Sequence, residues 1–171
     1  MILVIEIEGM SLYTSALKYF NAKKIKSSEE DYYKNKKYIT STITSSNFQM
    51  YEDVQISYKA HDLKYILLDI SGIVDFKYSK CLNEIKSIAE EFSIMFKNTK
   101  FEKILEYTHG SDESGESKIS DMFWEFKNGD KILLACYYWD TKFGKENNYV
   151  DELRVTISSK EFDMFLVNDP Y

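Results

Sequence analysis

Breakers are scarce in this chain: one proline and six glycines in 171 residues. A composition this poor in them is neither a disordered linker nor a collagen-like or low-complexity repeat. Arginine is almost absent too, Arg154 being the only one among 22 basic residues. Lysine neutralises phosphate but lacks the planar fork that reads it at two points, which argues against a nucleic-acid reader. No apolar run approaches the roughly 18 residues a membrane span needs. The opening MILVIEIEG has no basic flank, and Glu6 and Glu8 interrupt it, so it does not read as a signal peptide.

Cysteine is equally sparse. Cys81 and Cys136 form no CxxC and no framework of even spacing. One falls on the apolar side of a helical pattern and the other inside a strand pattern. Two buried thiols in a reducing compartment are therefore expected, and with them a cytoplasmic protein. The two histidines stand apart from the cysteines and from each other, so no metal site and no Cys–His nucleophile is expected. There is no Gly-rich phosphate loop and no G-x-S-x-G, and no cofactor is implied. Paired carboxylates remain the one catalytic device open to the chain: Glu102 with Glu106, or Asp121 with Glu125, would share strand faces.

What is abundant is rings and charge. Tyrosine occurs 14 times and phenylalanine 11 times, and 29% of residues are charged. The net charge of −6 is uneven, because residues 101–171 hold 8 basic against 15 acidic residues. Such a field favours a basic partner and repels nucleic acid.

The stretch 118–140, KISDMFWEFKNGDKILLACYYWD, organises the rest. Asn128-Gly129 between two apolar runs predicts a two-residue hairpin. That turn would pair Trp124 with Leu133 and Met122 with Ala135. Met122, Trp124 and Phe126 would then share a face with Leu133, Ala135, Tyr137 and Trp139, and also with Leu153, Val155 and Ile157. Asp121, Phe123, Glu125, Ile132, Leu134, Cys136, Tyr138 and Arg154 would form the other face. Residues 79–97 repeat Leu82, Ile85, Ala89, Phe92 and Phe96 at helical spacing, enough apolar surface to cover the first face. The second face is either a ring-and-carboxylate surface open to a partner or a second core under residues 1–72.

Elsewhere the pattern predicts strands at 2–7, 38–45, 54–60, 63–70, 102–108 and 149–158. A short helix is expected within 10–24, and a second beyond a capping box at Ser27 and Glu30. Ser158 to Glu161 repeats that box before Phe162, Phe165 and Leu166, and predicts a closing helix. The fold class is α+β: an antiparallel meander packed on an amphipathic helix, with further strands and a short helix from the amino-terminal half. One domain over 1–171 is expected, with a possible boundary near Gly72. By strand direction, loops 109–117 and 141–148 lie at one end of the meander. Asp112, Glu113, Glu116, Asp140 and Glu146 would gather there, beside Asp121, Phe123, Glu125 and Tyr138, as a protein-binding patch.

The run of helix, FWEF-NGD-KILLACYYW and DELRVTISSKEF over 74–168 resembles bacterial immunity proteins of contact-dependent growth inhibition systems. The resemblance implies a non-enzymatic protein in a tight complex with one cognate toxin domain, often a nuclease. Toxin neutralisation would come from covering the active site or blocking the substrate. The local acidity fits a basic toxin. Two other readings stay open: a small hydrolase with carboxylates in a sheet cleft, and a structural or regulatory homodimer.

Overall fold

A computed structural model describes residues 5–103 and 106–168. Among them the strands are β1 (Glu29–Glu30), β2 (Tyr38–Thr44), β3 (Asp53–Lys59), β4 (Asp69–Asp75), β5 (Lys100–Lys103), β6 (Tyr107–Thr108), β7 (Lys118–Glu125), β8 (Lys131–Tyr138) and β9 (Glu152–Ser158). The helices are α1 (Ala22–Ser27), α2 (Tyr78–Met95), α3 (Thr141–Asn147) and α4 (Lys160–Asn168), with a 3₁₀ turn at Ala16–Lys18. The strands form one antiparallel sheet in the order β1-β2-β3-β4-β9-β8-β7-β5, with β6 also paired to β7. The architecture is α+β, and α2 packs against β8 and β9. No described helix is long and apolar enough to cross a membrane.

The chain divides into two compact units. Unit 1 comprises residues 1–72, 128–131 and 156–171; unit 2 comprises 73–127 and 132–155. In unit 1 an aromatic core joins Tyr33, Tyr38, Leu68, Phe162 and Phe165. Ser159 caps α4 by accepting from Phe162 N at 3.2 Å, one residue later than the expected cap. Glu161, freed of capping duty, accepts from Tyr38 Oη at 2.8 Å and pairs with Lys59.

Three expectations in unit 1 are corrected. The helix expected within 10–24 is broken into a 3₁₀ turn and α1, because Asn21 starts afresh as an N-cap, accepting from Lys24 N at 2.9 Å. The capping box at Ser27 opens no helix: Glu29 and Glu30 pair with Ser41 and Thr40 as β1. The strand expected at 63–70 begins only at Asp69 and runs on through Ser71 and Gly72. Leu63 is 80% exposed, and the Asp62 carboxylate turns the preceding loop by accepting from Lys64 N and Ile66 N. Gly72 does not break the strand; a Cβ there would come within 2.5 Å of the Tyr51 ring, so the sheet needs a residue without a side chain. Of the strand expected at 2–7, residues 1–4 lie outside the described part, and Ile7 makes an isolated bridge to Met10.

In unit 2 the expected amphipathic helix is α2, with Cys81, Ile85 and Ala89 buried. The expectation of two free thiols is overturned. Cys81 of α2 and Cys136 of β8 form a disulfide, their Cα atoms 5.8 Å apart. Both are buried, as their apolar patterns predict, and only the folded register brings them face to face.

The hairpin register is also corrected. A type I′ turn needs positive φ at both central residues. Gly129 has φ +87°, but Asn128 is not among the described residues with positive φ. Asn128 instead accepts from Asp130 N at 3.1 Å, and five residues, 126–130, separate the strands. The result is a changed parity. Phe92 of α2 meets the Trp124 ring edge-on at 5.4 Å, Cys81 bonds Cys136, and Tyr78 touches Ser120 and Tyr138. Trp124 and Cys136 therefore share the α2 face, whereas the two-residue turn would have set them on opposite faces.

Candidate functional site

The face of unit 2 turned away from α2 carries Asp121, Tyr137, Trp139 and Arg154, and Tyr107 and His109 lie over it. Arg154 of β9 places its guanidinium 4.6 Å from the Tyr137 ring centre and holds Glu152 through Nε at 2.5 Å. A planar guanidinium does both at once, which a lysine could not. The ring row continues from Tyr137 to Trp139 (5.9 Å, stacked), and His109 sits on Trp139 at 4.5 Å. Phe143 and Tyr149 close it, 5.8 and 4.6 Å from Trp139. Tyr107 is 41% exposed at the other edge and donates to Asp121 Oδ2 at 2.7 Å. Burial first, then the Asp121 charge, pushes the Tyr107 hydroxyl well above its ordinary value, so it stays a donor.

Loop 109–117 is a folded object built around one carboxylate. Asp112 Oδ1 accepts from Ser114 N and Ser114 Oγ, and Oδ2 accepts from Ser117 N and Ser117 Oγ at 2.9 and 2.6 Å. These hydroxyl and amide bonds hold its carboxyl at about 2. Gly115, at φ +76°, makes the reversal between them.

The segment expected as loop 141–148 is the helix α3. Asp140 caps it, accepting from Lys142 N and Phe143 N, and Asn148 at φ +58° ends it, with Tyr149 N donating to Gly144 O at 2.8 Å. Both caps stood in the sequence; the internal glycine masked them. The join between loop and helix lies at Ser117. Its Oγ donates to Asp112 and accepts from Asp140 N at 3.0 Å.

No family model, curated protein or solved structure matches this chain. The reading of the site therefore stands on its geometry alone.

That geometry sorts the expected partner-binding residues. Glu113, Glu116 and Glu146 are exposed, with Asp140 partly so, on the two segments that Ser117 joins. Glu125 is half-buried at the end of β7. Asp112, Asp121 and Phe123 are 5%, 7% and 8% exposed, so they build the platform and offer a partner little surface. Tyr138 lies on the α2 side, its ring 5.7 Å from Tyr78. The fold adds His109, Trp139 and Arg154, which the sequence pattern does not mark as site residues. The wrong parity had set Arg154 beside Tyr138, and nothing in sequence brings His109 over Trp139.

His109 gives this site a pH signature. Burial, then the Arg154 charge, lowers its imidazole from 6.5 to about 4, with Asp112 opposing. Its Nδ1 accepts from Ser111 N at 3.1 Å, which only the neutral ring can do. The unfolded chain takes up this proton near its ordinary value. Stability from this group is therefore full above about pH 6.5, falls as pH drops toward about 4, and is flat below. Unfolding midpoints from pH 7 to pH 4 should show this decline, and His109→Gln should flatten that part of the curve. A proton-NMR titration placing His109 near the ordinary histidine value would refute the assignment.

Proposed function

We propose that this protein is an immunity protein that binds and neutralises a cognate toxin domain, and that it converts no substrate itself. The observation that carries the reading is the Ser117 junction. It couples the acidic loop 109–117 to the start of α3, so that Glu113, Glu116, Asp140 and Glu146 are presented on one braced support. Beside them runs a row of rings in which Trp139, 8% exposed, is packing, while half-buried His109, Tyr137 and Arg154 offer side-chain types that anchor protein interfaces. Preordered loops lower the entropy lost on docking, and exposed carboxylates speed the approach of a basic partner. A basic nuclease domain is the occupant this charge favours, the acids meeting the lysines and arginines that would otherwise hold phosphate.

The cytoplasmic site of action expected from sequence goes with this proposal, since a nuclease finds its target there. The Cys81–Cys136 bond pulls the other way, toward an oxidising compartment. Cell fractionation combined with thiol trapping at lysis decides between them.

The central test is binding to the protein encoded immediately upstream. Calorimetry should show a 1:1 complex of nanomolar affinity. The triple variant Glu113→Lys/Glu116→Lys/Glu146→Lys should slow association about tenfold or more at low salt with its circular dichroism unchanged. No complex at micromolar concentration would remove the proposal. Salt-independent association in both proteins would remove the electrostatic part alone.

A further inference from the structure

Unit 1 holds a half-open cavity of about 360 Å³, in the size range of small-molecule sites. Its apolar floor is Met10 and Ile43, both at most 1% exposed, and its walls carry the rings of Tyr19, Phe20 and Phe48. The walls are held in place. Phe20 and Phe48 meet edge to face at 6.2 Å. Glu8, at φ +49°, collects Gln49 N, Met50 N and Tyr51 N at 2.7 to 3.2 Å and so clamps the segment that carries Phe48. Burial raises the Glu8 carboxyl, but these three amides outweigh it and keep Glu8 an anion that is already satisfied.

Lys24 lines the same cavity, its backbone fixed by the Asn21 cap. Lys36, Lys59, Lys100, Lys118 and Lys131 all form ion pairs, whereas Lys24 forms none among the described residues. The cavity thus offers an apolar, ring-walled body site and one uncommitted ammonium, while Glu8, which also lines it, spends its carboxylate on the amides of 49–51. Among its described lining residues there is no second cation and no guanidinium fork, so a phosphate would be poorly matched.

We propose that this cavity is a binding site for a small amphipathic carboxylate, its apolar, ring-bearing body resting on Met10 and Ile43 and its carboxylate on Lys24. The site shares no residue with the toxin-binding face and stands independently of that reading.

The probe is 4-phenylbutyrate, titrated into the full chain and followed by amide NMR. Saturable shifts are expected at Phe20, Lys24, Ile43 and Phe48, with millimolar or tighter affinity. Lys24→Met should weaken 4-phenylbutyrate about fivefold and leave 4-phenylbutanol unchanged. Asn47→Trp, at the cavity wall, should block both probes in a protein whose spectrum remains dispersed. The proposal fails if no saturable shift appears up to the probe's solubility. It also fails if Lys24→Met leaves the carboxylate's affinity unchanged, or if 4-phenylbutylamine binds as tightly as the acid.

Discussion

Removing the Cys81–Cys136 bond is expected to cost about 4 kcal/mol of stability, enough to shift the unfolding midpoint by roughly 12 °C. The figure follows from the length of chain the bond closes: its ends are 55 positions apart in sequence, and the unfolded ensemble gains the freedom of that loop once the bond is gone. The bond also fixes α2 to β8 at its first buried turn, with the Cys81 sulfur 3.9 Å from Glu152 O of β9. Both cysteines are completely buried. The native protein should therefore yield no titratable thiol, and reductant should act only through opening of unit 2. Denaturant melts with and without dithiothreitol, beside the double variant Cys81→Ala/Cys136→Ala, measure the effect. A melt indifferent to reductant, or two thiols titrating in the denatured but unreduced protein, would show that the bond is not formed.

Trp124→Ala is expected to cost a similar amount, about 4 kcal/mol. The side chain is 1% exposed, with Phe92 of α2 edge-on at 5.4 Å and Phe101 of β5 at 5.0 Å. An indole buries about 200 Å² of surface, which at ~25 cal/mol/Å² supplies a transfer free energy of the same size. Its Nε1 finds no hydrogen-bond partner among the described residues. Trp124→Phe therefore loses packing volume and no bond, and should cost under about 2 kcal/mol. Chemical denaturation of the three proteins tests the order. A phenylalanine variant as damaged as the alanine one would mean that the indole N–H carries weight after all.

How far the residues foretold the fold depended on the range of the forces involved. Period-3.6 apolar spacing gave α2 within two residues at each end, and alternation gave β2, β3 and β9. These signals are local, and burial of one face enforces them. The turn at Asn128-Gly129 was located correctly but given the wrong length, because Asn128 used its side chain to bond Asp130 instead of adopting positive φ. The longer turn exchanged the two faces of β8, and with them the company of Cys136, Tyr138 and Arg154. The disulfide was invisible for the same reason, since pairing Cys81 with Cys136 needs the register as well as the elements. At the candidate site, the end of the meander that gathers the acids was legible from strand direction. That Asp112 and Asp121 face inward was not, because a carboxylate's burial depends on donors such as Ser117 and Tyr107 that only the folded chain supplies.

Unit 1 is assembled from three separated stretches of chain, the last of which, 156–171, carries α4 and with it Phe162 and Phe165 of the aromatic core. That core cannot close until Phe162 and Phe165 have been made, whereas the segments of unit 2 are complete by Val155. Tyr33, Tyr38 and Leu68 depend on partners more than 90 positions later in the chain, and long-range contacts of this kind close slowly. Loss of α4 should thus strip residues 1–72 of Phe162 and Phe165, and leave them a chaperone client rather than a smaller folded unit.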